Sequence, residues 1–490
     1  MKKRQIIFAI LLMLLALPFG AIAQYNTLYE MKHVPQHNYF NPARQPDCKI
    51  YVGVPGISHL KTNIASLGPN YDDLFSPTQN QDSFFIDLDK IQNSLGESNM
   101  LNAEARVSIL EFGFALGSSQ YITFSVSNNT NQRFTYHDNL LDIRHGNYRP
   151  DGTPIEIKLK QELTNYNQYS LGYSKKFYNN LTIGARLNIY SGNAHFETNT
   201  FDIKWYTDPA EGEIYPWRFE TDIDIQAAYF SDWEILTDST GMLSEVELDT
   251  DFETMNKAKI AFSKNLGIGI DAGIDYRIFD WLNVSASVKD FGFIKWKDVA
   301  KNLGNTGNFD FSGVDLGRYI TGMESFGGNN IFQDSLVRDL TDSLLLHFTP
   351  EIKQEADYSY TDYLSTQFYT GAEFYVTDWL DFGAHYHGIL IGKQLFSDFS
   401  LSANANFLRG WAFSVNYTAA QNSYNNIGVG FAYKLGPFQM YFVTDNIAPG
   451  MYMWDKEFTQ TYMYNTNSVN FLFGMNILIC KNKYDYGLMF

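Results

Sequence analysis

The feature that most constrains this chain is a repeated alternation of apolar residues with small or polar ones. In residues 399–407, Phe, Leu and Ala occupy every odd position, while Ser and Asn occupy every even position. The same pattern recurs in residues 181–189, 266–278, 411–419 and 427–434. A period of two is typical of β-strands whose two faces meet different surroundings.

Strands of about ten residues with one apolar face and one polar or small face are typical of transmembrane β-barrels. The apolar face contacts lipid there, and the other face lines the lumen. The alternative is a large secreted β-sandwich, in which a single strand of this kind would be half buried. The number, length and consistency of these segments favour the barrel, and an aromatic content of 16% agrees with it.

Short and long connections alternate along the chain, and this alternation gives the topology. Six short links fall at the same end of the strands: 117–119, 178–179, 279–281, 377–379, 408–410 and 435–437. Two further short connections, 392–394 and 421–425, fall at the opposite end as exceptions. Outer-membrane barrels have short turns on the periplasmic side and long loops outside. The sequence therefore predicts an all-β fold, a transmembrane antiparallel β-barrel of about 14 strands within a range of 12 to 16. The predicted strands are 48–57, 104–116, 120–129, 168–177, 180–191, 266–278, 282–292, 366–376, 380–391, 395–407, 411–420, 426–434, 438–445 and 467–479.

The long extracellular loops are predicted to contain short helices. Leu88, Ile91 and Leu95 have helical spacing in one loop, and residues 336–345 show the same spacing in another. Such helices would pack on the loop layer, or would act as a lid or a partner helix. The loop 192–265 is long enough to hold a further hairpin.

The two ends of the chain are predicted to lie outside the barrel. Residues 1–23 have a basic start, an apolar run and an Ala-Ile-Ala site, which together predict a signal peptide. Residues 24–47 are then a periplasmic N-terminal segment, and residues 48–479 form the barrel. The terminal Phe of residues 484–490 resembles the closing signal of outer-membrane barrels, but strand parity makes 480–490 a periplasmic tail. A further strand at 484–490 stays open as the alternative.

Two cysteines lie next to the predicted seam of the barrel. Cys48 precedes the first strand and Cys480 follows the last one. The first and last strands of a closed barrel are neighbours, and both cysteines fall on the periplasmic side. We therefore predict a Cys48–Cys480 disulfide, provided that their Cα atoms come within about 7 Å.

Three stretches resemble known families. They are residues 37–57, which contain Asn41-Pro42-Ala43 and end in a Val-Pro-Gly strand, residues 283–298, and the Phe-Val-Thr-Asp-Asn of 442–446. Together they resemble an uncharacterised family of Bacteroidota outer-membrane β-barrels. More distantly, they resemble the PorP/SprF membrane proteins of the type IX secretion and gliding machinery. The second resemblance implies a barrel that retains or displays secreted proteins at the cell surface, and it implies no catalytic residues.

Charged residues on the predicted inner face carry both signs. They are Arg186, Asp271, Asp275, Arg277, Lys289, Glu373, Asp381 and Lys434. Buried charges must be paired or hydrated. They therefore form a network across a closed lumen or line a water-filled pore, and the sequence leaves both open. Correspondingly, the two functional hypotheses are an interaction scaffold of the PorP/SprF kind and a passive, porin-like channel or transporter for small solutes.

The sequence offers little for metal binding or catalysis. His385 and His387 should face the lumen together with Asp381, and two imidazoles with a carboxylate can hold a transition metal. Lumen polar residues without a metal are commoner, so we predict no metal and no cofactor. The chain lacks a G-x-S-x-G element, and we predict that it is not an enzyme.

Charge and topology limit the expected partners. The formal net charge is −18 at pH 7, which argues against nucleic acid, because nucleic-acid binding needs a basic surface. We expect a location in the cell outer membrane, in contact with its lipid and lipopolysaccharide. The barrel-assembly machinery would act during biogenesis, and secreted or surface proteins are the further candidate partners.

Overall fold

The structure is a computed structural model, and it is dominated by β-strands. It describes residues 26–77, 84–178, 180–209, 216–229, 233–237, 243–248, 262–311, 348, 350–354, 357–408, 410–420, 423–446 and 467–480. The strands are β1 (Ile50–Gly53), β2 (Leu60–Leu67), β3 (Phe75–Pro77), β4 (Phe84–Ile86), β5 (Ser98–Leu116), β6 (Gln120–His137), β7 (Ile155–Phe177), β8 (Leu181–Thr207), β9 (Trp217–Tyr229), β10 (Trp233–Thr237), β11 (Leu243–Leu248), β12 (Leu266–Phe279), β13 (Leu282–Trp296), β14 (Ala300–Phe311), β15 (Glu351–Gln354), β16 (Tyr360–Tyr363), β17 (Thr366–Tyr375), β18 (Leu380–Ile391), β19 (Gln394–Leu408), β20 (Trp411–Ala420), β21 (Ser423–Leu435), β22 (Phe438–Thr444) and β23 (Ser468–Ile479).

These strands form a closed antiparallel barrel of 14 strands, as the sequence predicts. Two of the 14 barrel strands are each made of two consecutive segments. β1 and β2 both pair with β23, and β16 and β17 both pair with β13. The last strand closes the barrel on the first, with Ile479 opposite Ile50 and Phe473 opposite Leu60. Between β1 and β2, residues 54–59 turn inward and bury Ser58 and His59.

The alternation in the sequence becomes an apolar outer face and a polar inner face. On neighbouring strands β19 and β20, Leu401 and Val415 are 50% and 52% exposed, as expected for a lipid-facing surface. Ser400 and Asn416 on the same strands point inward and are buried. The inner face is therefore covered, although its side chains are small and polar.

The strands on one side of the barrel continue far beyond it. β8 has 27 residues, which at about 3.3 Å per residue is several times the apolar band of about 25 Å. Its second half leaves the barrel and pairs with β9, which pairs in turn with β14. The further hairpin considered for the loop 192–265 is thus present. An apolar cluster of Ile223, Ile225, Ala227 and Leu303 packs this extension, which we call the outer sheet (second half of β8, β9 and β14).

Helices are few and short. They are α1 (Asn26–Glu30), α2 (Tyr71–Leu74), α3 (Leu88–Ser94) and the 3₁₀ helices Pro35–Tyr39 and Asp138–His145. The predicted loop helix at Leu88 is present as α3, where Asp87 caps the N-terminus by accepting from the Lys90 backbone N–H at 3.0 Å. The helix predicted around 336–345 falls outside the described residues. No helix in the described part of the chain has the length and apolarity to cross a membrane.

The N-terminal segment does not lie free below the barrel. We expected residues 24–47 on the periplasmic side, but residues 26–44 are packed inside the lumen, and this expectation is corrected here. The physical reason is that the segment supplies the cations and backbone groups that the polar inner face needs. The signal peptide predicted at 1–23 lies outside the described residues, as does the predicted tail beyond Cys480.

Candidate functional site

The candidate site is the filled lumen, which residues 26–47 occupy as a plug. The plug begins near the long-loop ends of the barrel strands, where Asn26 donates to Asp398 at 2.7 Å and the Thr27 backbone N–H donates to Asp445 at 2.7 Å. It then descends to the short-turn end, where the His33 carbonyl accepts from Gln439 at 2.7 Å. The first helix of the plug is completely buried. The plug therefore extends through the lumen rather than covering one mouth.

Two cations of the plug meet carboxylates of the barrel wall. Arg44 Nη2 lies 2.7 Å from Glu373 Oε1, and Lys32 Nζ lies 3.0 Å from Glu373 Oε2. Arg44 also reaches Asp275 at 3.8 Å, and Lys32 reaches Asp381 at 3.5 Å. Burial by itself lowers the pKa of Lys32, but the neighbouring carboxylates outweigh it and raise that pKa above its usual value. Both cations are thus held charged by the wall.

A third ion pair belongs to the wall itself and holds the plug backbone. Arg186 Nη1 lies 3.0 Å from Asp271 Oδ2. The same guanidinium donates to the Asn38 carbonyl at 2.8 Å and to the Asn38 side chain at 2.6 Å. Asp271 also accepts from the Asp290 backbone N–H at 2.8 Å, and Lys289 pairs with Asp290. This pair therefore uses its remaining donors to bind the plug.

The Asn41-Pro42-Ala43 element docks against glycines of the wall. A Cβ on Gly184 would lie 2.3 Å from the Pro42 carbonyl, and one on Gly273 would lie 2.0 Å from Asn41 Oδ1. Asn41 donates to the Ile274 carbonyl at 3.0 Å and accepts from the Ala43 backbone N–H at 2.9 Å. The plug can approach the wall this closely only because these positions lack side chains.

The two candidate metal-ligating histidines bind separate carboxylates. His385 Nδ1 lies 2.9 Å from Glu30 Oε1 of the plug, and His387 Nδ1 lies 3.0 Å from Asp398 Oδ2. Asp381 pairs with Lys32 and accepts from Asn404 at 2.8 Å. Among the described residues, no three His, Cys, Asp or Glu side chains are grouped to hold a metal ion. The geometry assigns these three residues to plug and wall contacts.

Aromatic rings add packing to this polar network. Tyr29 of the plug stacks on Tyr369 at a centroid distance of 5.5 Å and lies 4.8 Å from the His385 ring. Its hydroxyl is 2.8 Å from the Ser285 hydroxyl. Complete burial is the main cause that raises the Tyr29 pKa to about 12. The plug is thus anchored by stacked rings as well as by charges.

Two of the predicted lumen charges lie at the rim instead. Arg277 is exposed, its backbone N–H donates to the Asn180 carbonyl at 2.8 Å, and its guanidinium covers the Tyr375 ring at 4.4 Å. Lys434 lies one residue before the turn at 435–437, with its Nζ 3.0 Å from Cys480 Sγ. Both residues lie opposite buried inner-face residues, Arg277 opposite Asn283 and Lys434 opposite Gln439, so alternation gives their side of the sheet. Their positions near the strand ends place them at the rim, outside the buried ion pairs of the lumen.

The predicted disulfide is present at the seam. Cys48 and Cys480 are bonded, with their Cα atoms 4.0 Å apart. The bond joins the chain leaving the plug to the end of the last strand, next to the Ile50–Ile479 pair. It therefore closes the barrel covalently at the short-turn end.

A small polar cavity remains on the long-loop side of the plug. Its volume is about 70 Å³, and charged and amide side chains from β2, β5, β6, β7 and β13 line most of it. Arg106 is among them, and its guanidinium lies 4.4 Å above the Tyr39 ring of the plug. The plug thus contacts one of the side chains that line this cavity.

Sequence reasoning missed the plug, although one signal pointed to it. The inner faces of residues 181–189 and 266–278 carry glycines, which leave room that barrel strands do not fill themselves. A segment packed closely inside was the explanation. The sequence pattern does not identify which segment fills this room, because residues 26–47 show neither a period of two nor helical spacing.

Comparison with known proteins gives a family and distant structural likenesses. The model of a family of unknown function, DUF5723, matches residues 42–445. The toluene transporter TodX of Pseudomonas putida aligns over 94% of this chain and 98% of its own, at 8% identity and a TM-score of 0.37. A Pseudomonas aeruginosa FadL homologue aligns over 95% of this chain and 99% of its own, at 9% identity and a TM-score of 0.37. The translocator domain of the autotransporter NalP from Neisseria meningitidis aligns over 87% of this chain and 89% of its own, at 7% identity and a TM-score of 0.27. No curated protein matches the sequence.

Proposed function

This chain belongs to DUF5723, a family of unknown function, and we propose that it serves in the outer membrane as a plugged interaction scaffold for secreted or surface proteins. The observation that carries the proposal is the occupied lumen. A barrel filled by its own chain offers partners a rigid wall and an outer sheet, whereas a passive pore needs an open path. The proposed role is the one that the resemblance to PorP/SprF implies.

The filling of the lumen argues against the passive-channel alternative. Within the described part of the chain, the cavity above the plug has about 70 Å³, and two smaller spaces lined by plug residues have about 10 Å³ each. A larger space of about 510 Å³ lies at the short turn 117–119, where no plug residue between 26 and 47 lines it. A cavity of about 10–15 Å³ is just large enough for one water molecule. A hydrated solute would therefore pass only after the plug had moved.

Moving the plug would leave buried charges without partners. Glu373 would lose both Arg44 and Lys32, and Arg186 would lose its acceptors on Asn38. Breaking a buried ion pair by removing one partner costs about 3–5 kcal/mol. The closed state is therefore the resting state in this proposal, and an unassisted opening would be rare.

The outer sheet supplies the surface for partners. It projects beyond the barrel, and its own apolar cluster stabilises it. Edge strands and long loops on a rigid scaffold are the usual places for protein recognition. A partner bound there would be held at the cell surface without crossing the barrel.

Two measurements test the proposal. Purified wild-type barrel in planar bilayers should show no steady conductance, and a variant lacking residues 26–44 should conduct. Affinity capture of the tagged wild type from outer membranes should recover secreted or surface proteins, and capture should fail after deletion of the outer-sheet hairpin. Steady conductance of the wild type would establish the channel alternative instead.

A further inference from the structure

The lining of the cavity above the plug carries as many positive as negative charges. The four cations are Lys61, Arg106, Arg133 and Lys289, and the four carboxylates are Glu104, Glu162, Asp290 and Asp362. A ligand with a net charge would unbalance this lining and leave a buried charge unpaired. A ligand that fits the cavity is therefore either uncharged or a zwitterion.

Three ion pairs account for six of these eight charges. The pairs are Lys61 with Glu104 at 2.9 Å, Arg133 with Glu162 at 2.8 Å, and Lys289 with Asp290. The other two charges belong to Arg106 on β5 and Asp362 on β16, and these strands are not neighbours in the barrel. Within the described part of the chain, Arg106 and Asp362 form no ion pair with each other. The cavity thus keeps one positive and one negative charge apart.

Three polar groups of the lining have no hydrogen-bond partner in the part of the chain that the structure describes. Arg106 Nε is one of them, and Arg106 Nη1 donates to Gln168 only at a long 3.4 Å. Asp290 Oδ1 is the second, although Arg106 and Asp290 are only 9% and 8% exposed. The third is the Asp362 carboxylate, because His195 Nε2 lies 3.4 Å away without a hydrogen bond. Buried polar groups normally have partners, so these groups indicate a ligand.

Tyr166 shows that these groups surround one part of the cavity. This residue lines the cavity and is 5% exposed. Its hydroxyl is close enough to Arg106, Asp290 and Asp362 to be affected by all three charges, and it makes no hydrogen bond to the described residues. A ligand at the Tyr166 hydroxyl would therefore have a cation and carboxylate oxygens around it.

These groups suit a small zwitterion better than an uncharged solute. A guanidinium fork binds a carboxylate through paired hydrogen bonds, and carboxylate oxygens accept hydrogen bonds from an ammonium group. An α-amino acid carries both groups on one carbon atom. The cavity of about 70 Å³ has room for about five water molecules, which matches the size of glycine or alanine.

We propose that Arg106, Tyr166, Asp290 and Asp362 form a binding site for a small free α-amino acid in its zwitterionic form. Arg106 binds the carboxylate, and Asp362 and the free oxygen of Asp290 bind the ammonium group. The lining residues lie toward the long-loop ends of their strands, so the amino acid enters from that side. The site is independent of the scaffold role proposed above.

Isothermal titration calorimetry of the detergent-solubilised, disulfide-intact protein at pH 7 tests the site. Glycine and L-alanine are titrated separately, and acetate, ethylammonium and glycerol are titrated at equal ionic strength. We expect saturable binding of at least one amino acid. Acetate and ethylammonium carry only one of the two charges and glycerol carries neither, so each should bind at least about tenfold more weakly.

Two isosteric or near-isosteric variants assign the two charges. Arg106→Gln and Asp362→Asn should each weaken binding of the amino acid about tenfold to a hundredfold, as for the loss of a hydrogen bond to a charged group. Arg277→Gln and Asp310→Asn are the matched controls, because they remove the same charges at exposed positions outside the cavity. Both controls should bind like the wild type.

If Arg106→Gln does not fold, Arg106→Lys keeps the charge but lacks the fork, and it should bind more weakly than the wild type. The proposal is overturned if neither amino acid binds the wild type saturably. It is also overturned if glycerol, acetate or ethylammonium binds as tightly as the amino acids. Binding of wild-type strength in the variants at positions 106 and 362 would overturn it as well.

Discussion

Arg44 of the plug donates to Glu373 of the barrel wall, with Nη2 and Oε1 2.7 Å apart and 329 positions between them in the chain. Both side chains are almost completely buried. Glu373 lies about three quarters of the way along the chain. Only the closed fold brings it against Arg44, because no local contact brings the two residues together. The pair is therefore a sensitive point at which to test the plug.

Removing one partner of this pair should destabilise the protein more than removing both. Arg44→Met leaves Glu373 buried with only Lys32 as its cation, and we expect a loss of about 3–5 kcal/mol in the free energy of unfolding. The double variant Arg44→Met/Glu373→Leu replaces the pair with apolar side chains and should recover part of that loss. Urea titration followed by heat-dependent gel mobility measures both. Equal or larger loss in the double variant would contradict the buried-pair account.

Adding a side chain at the docking glycine should loosen the plug without touching its charges. Gly184→Val places carbon atoms where Pro42 lies, since even a Cβ would come within 2.3 Å of its carbonyl. We expect intermittent conductance in planar bilayers and faster proteolysis within residues 26–47, while the barrel stays folded. Gly307→Val is the matched control, because a Cβ there meets nothing within 4 Å. Plug accessibility that is the same in both variants would show that this close approach does not retain the plug.

The barrel was predictable from the sequence, and its contents were not. Period-two segments such as 266–278 and 399–407 predict their strands because lipid and lumen impose opposite demands on alternate residues. The short links predict the topology of the strands. That topology places both ends of the barrel on one side and so predicts the Cys48–Cys480 disulfide. The plug follows no period, and its partners, such as Asp398 for Asn26, lie hundreds of positions away. Such pairings are set by closure of the barrel and not by local sequence.

The charges show the same division. Alternation correctly placed Asp271 and Glu373 on the inner face, but it could not tell whether water or protein would neutralise them. In the structure, protein groups neutralise both carboxylates: Arg186 pairs with Asp271, and Arg44 pairs with Glu373. Alternation also does not give burial: Arg277 lies near the end of its strand, opposite the buried Asn283, and is nevertheless exposed.

The contact between His33 and Asp47 should hold the plug more firmly at mildly acidic pH than at alkaline pH. His33 Nδ1 lies 3.1 Å from Asp47 Oδ2 at the short-turn end of the plug. Burial by itself lowers the pKa of His33, but the hydrogen bond and the charge of Asp47 outweigh it and raise that pKa. A raised pKa stabilises the folded state fully below the unfolded value of about 6.5, and this contribution disappears as the pH rises through the folded value.

Buried His37 has a pKa lowered to about 4 and acts in the opposite direction in both proteins. We therefore expect that, from pH 5.5 to pH 8.5, the urea midpoint of the wild type falls relative to that of His33→Asn. Both side chains are about half exposed, at 49% and 62%, so solvent screening keeps the difference small. A midpoint that falls less, or rises more, in the wild type than in His33→Asn over this pH range would show that another group governs the titration.

Loss of the disulfide should weaken the seam without opening the lumen. The first barrel strand is interrupted at residues 54–59, so only the four residues of β1 pair with β23 below that point, and the Cys48–Cys480 bond covers their end. Cys48→Ser should lower the free energy of unfolding by about 2–4 kcal/mol, and reduction of the wild type should have the same effect. The variant should still show no conductance, because the ion pairs of Arg44 and Lys32 are independent of the bond. Conductance that appears on reduction alone would mean that the bond, rather than the buried charges, retains the plug.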